Sequence, residues 1–331
     1  MMYIFITIIL NALLTLSNVV SITANEKIEV EIKHVKKIKI DKDYSHQNLI
    51  SNDRYIVWFE HYTHSFYISD LTSNNLKQII IKKGRGPGES VLIKSAIIFK
   101  DDLLVYDIGL MKIMRFNLKS GSFINEFPTN LMLQSIISDG VELYGSGLSP
   151  NGFFFKYDFD SKKFIPFPNS NLPFLDRFNM ADPSFNPFKI QGSYSLCDEC
   201  IVFSSSFDPI FYIYSIKNQS LSQYKFESIP EVDYESGRIG NTLSPPSPLK
   251  MYIEKIVRIN NQSIGVLARG KSDERDYSSN NVHIFNIINK SYVGNIQFPH
   301  EINDISVSDR YIITLSNEKW SIDVYEYRIL N

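Results

Sequence analysis

One pattern returns six times along this chain: a turn carrying Asp or Asn, a β-rich run, a second turn, and a further β-rich run ending in aromatics. The first three copies are Asp53-Arg-Tyr-Ile-Val-Trp-Phe with Ser65-Phe-Tyr-Ile-Ser, Asp102-Leu-Leu-Val-Tyr-Asp with Lys112-Ile-Met-Arg-Phe, and Asp139-Gly-Val-Glu-Leu-Tyr with Gly152-Phe-Phe-Phe-Lys-Tyr. The later three are Asp198-Glu-Cys-Ile-Val-Phe with Ile210-Phe-Tyr-Ile-Tyr, Asn261-Gln-Ser-Ile-Gly-Val-Leu with Asn281-Val-His-Ile-Phe-Asn, and Asp309-Arg-Tyr-Ile-Ile-Thr-Leu with Ser321-Ile-Asp-Val-Tyr-Glu-Tyr. A unit of about four strands, repeated every ~40 to 60 residues, is the pattern of an all-β, six-bladed β-propeller.

The repeats fill almost everything after residue 28, so residues 25–331 read as one domain despite the length of the chain. The last repeat, Glu301 to Leu330, holds only three strand-sized runs. Val30 to Ile40 alternates apolar and polar residues, as a strand with one buried face does. This N-terminal strand is expected to supply the missing fourth strand of the last blade and close the ring, which removes two exposed sheet edges.

Residues 1–24 are apolar and uncharged and read as a secretory signal peptide ending near Ala24. No Lys or Arg precedes the apolar stretch, and an uncleaved membrane anchor is the rival reading. With the signal removed, no membrane insertion is expected. A formal net charge of -2 without a basic run gives no field for nucleic acid. A ring closed on itself is expected to act as a monomer.

Both cysteines lie in Cys197-Asp-Glu-Cys200, where an exported chain supports a local disulfide; two free thiols are the alternative. The flanking runs offer no helix for a redox pair, and no second pair exists for a structural zinc. Two insertions exceed what a hairpin needs: Leu172 to Gln191, which carries Phe174, Phe178, Phe185 and Phe188, and Ile229 to Lys250, which carries Arg238 and Ser244-Pro-Pro-Ser-Pro248. On a rim they are candidate binding elements for a protein, peptide or glycan; folded over a blade edge, the aromatics are only a cap. His61 and His64 sit in the presumed hairpin of the first blade and are expected as exposed turn residues.

Gly84-Arg-Gly-Pro-Gly-Glu89 follows the first blade. Gly84, Gly86, Pro87 and Gly88 suit a chain reversal between blades, and Arg85 and Glu89 are its candidate binding side chains. It lacks the ending of a phosphate-binding loop and opens no helix. This stretch, with Asp102-Leu-Leu-Val-Tyr-Asp-Ile-Gly-Leu-Met-Lys-Ile-Met-Arg-Phe-Asn-Leu-Lys-Ser-Gly121, resembles the six-bladed β-propellers common among exported proteins of Bacteroides-like bacteria, which are similar to NHL and TolB-like propellers. The resemblance is sharp over residues 50–130. It implies the fold and export and transfers no catalytic residue. Ser90 stands where an aromatic commonly follows the Glu, and the lipoprotein Cys is missing.

The resulting expectation is a non-catalytic binding or scaffold module without a cofactor, outside the cell or in the periplasm. Some propellers of this kind are lactonases or lyases with a divalent metal in the central channel, so Ca²⁺ held by dispersed oxygen ligands is the alternative. Asp107, Asp158, Asp208 and Asp304 fall at scattered repeat positions and predict no such set.

Overall fold

A computed structural model describes residues 28–40, 46–73, 75–173, 190–206, 210–225, 238–239, 242–243, 251–271, 276–277, 280–316 and 318–330. The N-terminal segment 1–24 lies outside them, as do Phe174, Phe178, Phe185, Phe188 and Asp208. The described residues contain no α-helix.

After β1 (Glu29–Lys39), blade 1 is a meander of β2 (His46–Ser51), β3 (Tyr55–Glu60), β4 (Ser65–Asp70) and β5 (Leu76–Ile80). Blade 2 follows with β6 (Ile93–Phe99), β7 (Asp102–Asp107), β8 (Lys112–Asn117) and β9 (Phe123–Pro128). Blade 3 comprises β10 (Leu133–Ser138), β11 (Leu143–Gly147), β12 (Phe154–Asp158) and β13 (Lys163–Pro166). Blade 4 comprises β14 (Gly192–Cys197), β15 (Cys200–Ser205), β16 (Ile210–Ser215) and β17 (Ser220–Lys225). A short hairpin of β18 (Arg238–Ile239) and β19 (Thr242–Leu243) precedes blade 5. Blade 5 contains β20 (Met251–Arg258), β21 (Ser263–Lys271), the added β22 (Asp276–Tyr277), β23 (Asn281–Asn286) and β24 (Ser291–Gln297). Blade 6 takes β25 (Asp304–Val307), β26 (Tyr311–Ser316) and β27 (Ser321–Leu330) from the C-terminal end, and β1 completes it in the order β1-β27-β26-β25.

Several Asp and Asn residues at the hairpins work as turn formers, Asp139 of the repeat among them. Asn52 Oδ1 accepts from the amides of Arg54 (2.9 Å) and Tyr55 (2.6 Å), and Asp139 Oδ1 from those of Val141 (2.8 Å) and Glu142 (2.7 Å). Asp70, Asn117, Asp158 and Asn286 do the same between the third and fourth strands of their blades. The runs between these turns are buried on both faces, because each blade packs between two others; all six residues of β3 and of β7 are buried.

The core is divided into six clusters among the described residues, one for each junction between neighbouring blades. Val57, Phe66 and Ile68 meet Leu103, Val105 and Met114 between blades 1 and 2. Phe154, Tyr144 and Leu172 meet Phe203 and Tyr214 between blades 3 and 4. The sixth cluster joins Leu49, Ile56 and Trp58 of blade 1 to Ile313, Leu315, Ile322 and Val324 of blade 6. Burying such a side chain contributes about 1.5–3 kcal/mol. The aromatics of the sequence also act as wedges between blades, as where Phe154 of blade 3 meets Tyr214 of blade 4 with ring centroids 5.9 Å apart.

The connector Gly84–Glu89 is fastened to blade 2. Its base is pinched by Gly84 N–H on Ser90 O (3.1 Å) and Ser90 N–H on Lys82 O (2.9 Å). The Glu89 carboxylate accepts the Gly86 amide at 2.8 Å, and any Cβ at Gly84 would collide with it. Gly88, at φ +71°, gives its amide to Glu126 at 2.9 Å. Glu126 in turn pairs with the buried Lys112 ammonium at 2.8 Å, which also donates to Gly86 O at 3.0 Å. Two of the loop amides that could cradle an anion are thus directed at the protein's own carboxylates.

Deleting residues 28–40, β1 with its two flanking isoleucines, is expected to destabilise the whole ring. It removes the half-buried Ile28, Val30, Ile32, Ile38 and Ile40 side chains from two clusters. At about 1 kcal/mol each, this is about 5 kcal/mol out of a typical total of about 5–15 kcal/mol; urea unfolding of the deleted and intact chains measures it. Glu126→Gln is expected to cost about 2–3 kcal/mol by leaving Lys112 without its carboxylate, and adding Lys112→Met should restore most of that, which a double-mutant cycle reads. Burial first, then nearby carboxylates, pushes Tyr144 and Tyr325 up to about 12. Both hold their proton more tightly when folded than the ordinary value of about 10 in the unfolded chain. Their contribution is whole below pH ~10 and lost as pH rises through about 12, so unfolding free energy should fall across that window, and fall less in a Tyr144→Phe, Tyr325→Phe chain.

Candidate functional site

Six innermost strands, β2, β6, β10, β14, β20 and β25, surround the axis of the ring. Each pairs with one strand of its own blade and turns its other edge to the channel. Side chains of one blade reach that free edge on the next: Asp304 accepts from Leu49 N–H at 2.7 Å, Ser95 Oγ from Ile136 N–H at 3.2 Å, and Ser193 Oγ from Ile256 N–H at 2.8 Å. The Ser51 hydroxyl bonds that of Ser306 at 2.8 Å. Asp304 is further held by Ile305 N–H at 2.8 Å and by the Lys255 ammonium at 3.0 Å. Lys255 also reaches Leu49 O at 3.4 Å, so blades 5, 6 and 1 are tied together at a charged waist in the channel.

Beyond this waist lies a cavity of about 750 Å³, lined from all six blades by the later parts of the inner strands and the turns that follow them. At one level its wall mixes the hydroxyls of Ser51, Ser195 and Ser306 with the aliphatic Ile97, Ile137 and Val257. Its mouth carries Asp53, Asp139 and Asp309 together with Lys100 and Arg258. Arg258 is fixed by Asp198 at 2.9 Å and by Asn261. Such a volume, with apolar surface and a few placed polar groups, is that of a small-ligand or chain-segment pocket.

Among the described residues no group of three or more His, Cys, Asp or Glu is arranged to hold a metal ion. Of the acids of the alternative reading, the three among the described residues have structural partners. Asp107 accepts from Val91 N–H (2.6 Å) and Leu110 N–H (2.9 Å), and Asp158 from Ser161 Oγ (2.5 Å). Asp304 is engaged as above.

Of the residues singled out in the sequence, Arg85 is exposed at the tip of the blade 1 to blade 2 connector, while Glu89 is engaged by its own loop. Arg238 pairs with Leu243 in the β18–β19 hairpin. The four insertion phenylalanines lie outside the described residues. Cys197 and Cys200 are cross-strand partners at the β14–β15 turn, 5.0 Å apart at Cα, and are joined as a disulfide. His61 is exposed, as expected of a turn residue, but His64 is not. His64 adopts φ +56° and turns inward, 7% exposed, with Nδ1 bonded to Ile81 O at 2.9 Å, which ties the hairpin to the strand leaving the blade. Sequence reasoning missed the Lys255–Asp304 pair. Its one trace is a charged residue in two repeats where the other repeats carry Leu49, Ser95, Ser135 and Ser193.

No curated protein matches the chain. Among solved structures, it is similar to a member of the DUF4221 family from Bacteroides vulgatus ATCC 8482, with a TM-score of 0.60 at 12% identity over 93% of this chain and 100% of that one. It is similar also to a Bacteroides fragilis NCTC 9343 protein whose name proposes that it is exported, with a TM-score of 0.56 at 14% identity over 94% of this chain and 98% of that one. At such identities the likeness is one of fold. The model of a family described as a 6-bladed beta-propeller (DUF5128) matches residues 29–240, and the chain belongs to that family.

Proposed function

We propose that this chain is an exported binding or scaffold module, working in the periplasm or outside the cell, that docks a protein, peptide or glycan segment at the mouth of its axial cavity. The observation that carries this reading is the 750 Å³ cavity itself, to which every blade contributes. Its mixed hydroxyl and aliphatic wall suits a ligand with both polar edges and apolar faces, as sugars and peptides have. The acids nearest the axis are spent on backbone amides and on Lys255, which favours recognition over metal-assisted hydrolysis. The export of a structural neighbour, as its name proposes it, agrees with the apolar first residues of this chain.

The test is thermal unfolding against panels of oligosaccharides and short peptides, with calcium and chelator as parallel arms. A ligand at 100 times its dissociation constant stabilises the folded state by about 2.7 kcal/mol, a readable upward shift. Ile137→Trp, which fills the cavity wall, should abolish the shift given by a true ligand while leaving the unliganded midpoint within a few degrees. A calcium-dependent rise reversed by chelator would instead support the lactonase or lyase reading.

A further inference from the structure

The inner strands carry a second set of polar residues, on the other side of the Lys255–Asp304 waist from the cavity. Four of the six slip in register against their neighbour at one point: between Gln47 and Ile50, Ile93 and Ser95, Leu133 and Ser135, and Ile253 and Lys255. The residues left between are Asn48 with Leu49, Lys94, Gln134 and Glu254. A bulge leaves its extra residue out of the ladder and re-aims that side chain, and such devices gather beside functional sites. Here each bulge carries a polar side chain, and three of them fall on consecutive blades: Asn48, Lys94 and Gln134 on blades 1, 2 and 3.

Lys94 is the unusual member. Two cations close to this level of the channel have carboxylate partners: Lys255 pairs with Asp304 at 3.0 Å and Arg269 with Glu254 at 2.8 Å. Lys94 makes no hydrogen bond or ion pair among the described residues, although its side chain is open to water. An innermost strand is covered by its own blade and by two neighbours, so a residue exposed on it is exposed toward the axis. The channel walls still crowd the ammonium enough for desolvation to lower its pKa. Glu254 cannot compensate it, standing on blade 5 across the ring and already paired with Arg269.

We propose that Lys94, with the amide side chains of Asn48 and Gln134 on the adjoining inner strands, anchors an oxyanion group, carboxylate or phosphate, of a small ligand entering the channel from the end opposite the cavity. The ammonium supplies the charge and the two amides supply directed N–H donors. This site stands apart from the cavity and does not depend on what binds there.

The experiment is competitive acylation of the intact protein with a limiting amine-reactive acetyl ester at pH 8, with each lysine read by peptide mass spectrometry. Glucuronate and inorganic phosphate serve as probes, and glucose as the neutral control. Lys94 is expected to label ahead of the β1 lysines, and a probe at about ten times its dissociation constant should slow that labelling about tenfold while leaving the β1 lysines unchanged. Protection by glucuronate alone would point to an acidic sugar or a chain terminus, by phosphate alone to a phosphorylated ligand, and either supports the site. Thermal unfolding gives the second readout: the upward shift with the protecting anion should vanish in Lys94→Gln, a substitution that removes no hydrogen bond or ion pair among the described residues. Absence of protection by both anions, or an anion shift that persists in Lys94→Gln, overturns the proposal.

Discussion

The rest of this structure depends on the pairing of β1 with β27. A blade is a sheet with two apolar faces, and each face can be buried only against another blade. Five of the six junctions join blades that follow one another in the chain. The sixth, where Trp58 and Ile56 meet Ile313 and Val324, requires the two ends of the chain to come together. The ten-position register from Glu29 opposite Leu330 to Lys39 opposite Ser321 secures this, with one irregularity between His34 and Lys36. Asp323, 3% exposed on β27, accepts from His34 of β1 at 2.9 Å and from Ser321 at 2.8 Å, so the closure also has a polar clasp.

The ring was legible in the sequence because both of its periodic signals are local. Alternating or continuous β-branched and aromatic runs mark the strands, and at many turns an Asp or Asn bonds amides two or three residues ahead. The three-stranded last repeat and the alternating Val30 to Ile40 segment identified the closing strand from the same local pattern. The interior of the channel was not legible in this way. A bulge adds one residue to a strand without changing its composition, so nothing at Lys94 or Gln134 announces a slip in register. The Lys255–Asp304 pair joins residues of different repeats and is visible only once the blades are set side by side. His64 shows the converse error: a turn residue of ordinary appearance is buried because its left-handed backbone carries the ring inward.

The connector Gly84–Glu89 illustrates how a motif can look functional for structural reasons. Its glycines permit a tight path, and that path leaves amides without strand partners. Glu89 and Glu126 meet that need, and Glu126 then requires the buried Lys112. Once the two carboxylates are placed, the loop has little left to offer a ligand beyond the exposed Arg85. Its distinctive sequence is explained by the geometry of one blade junction.

The free edges of the inner strands pose the same problem around the whole axis. Every innermost strand leaves a row of backbone groups facing the channel, and buried backbone groups must find partners. Side chains from the preceding blade meet some of them at the junctions of blades 2 with 3, 4 with 5, and 6 with 1. Groups not met in this way require water, so an axis of this kind is wet and polar by construction and accepts hydroxyl-rich or charged ligands without special provision. Selectivity must then come from departures from the repeat, where one blade presents what the others do not. In this chain those departures are the Lys255–Asp304 waist, which divides the channel, and Lys94, a cation at the axis with no carboxylate assigned to it by the fold.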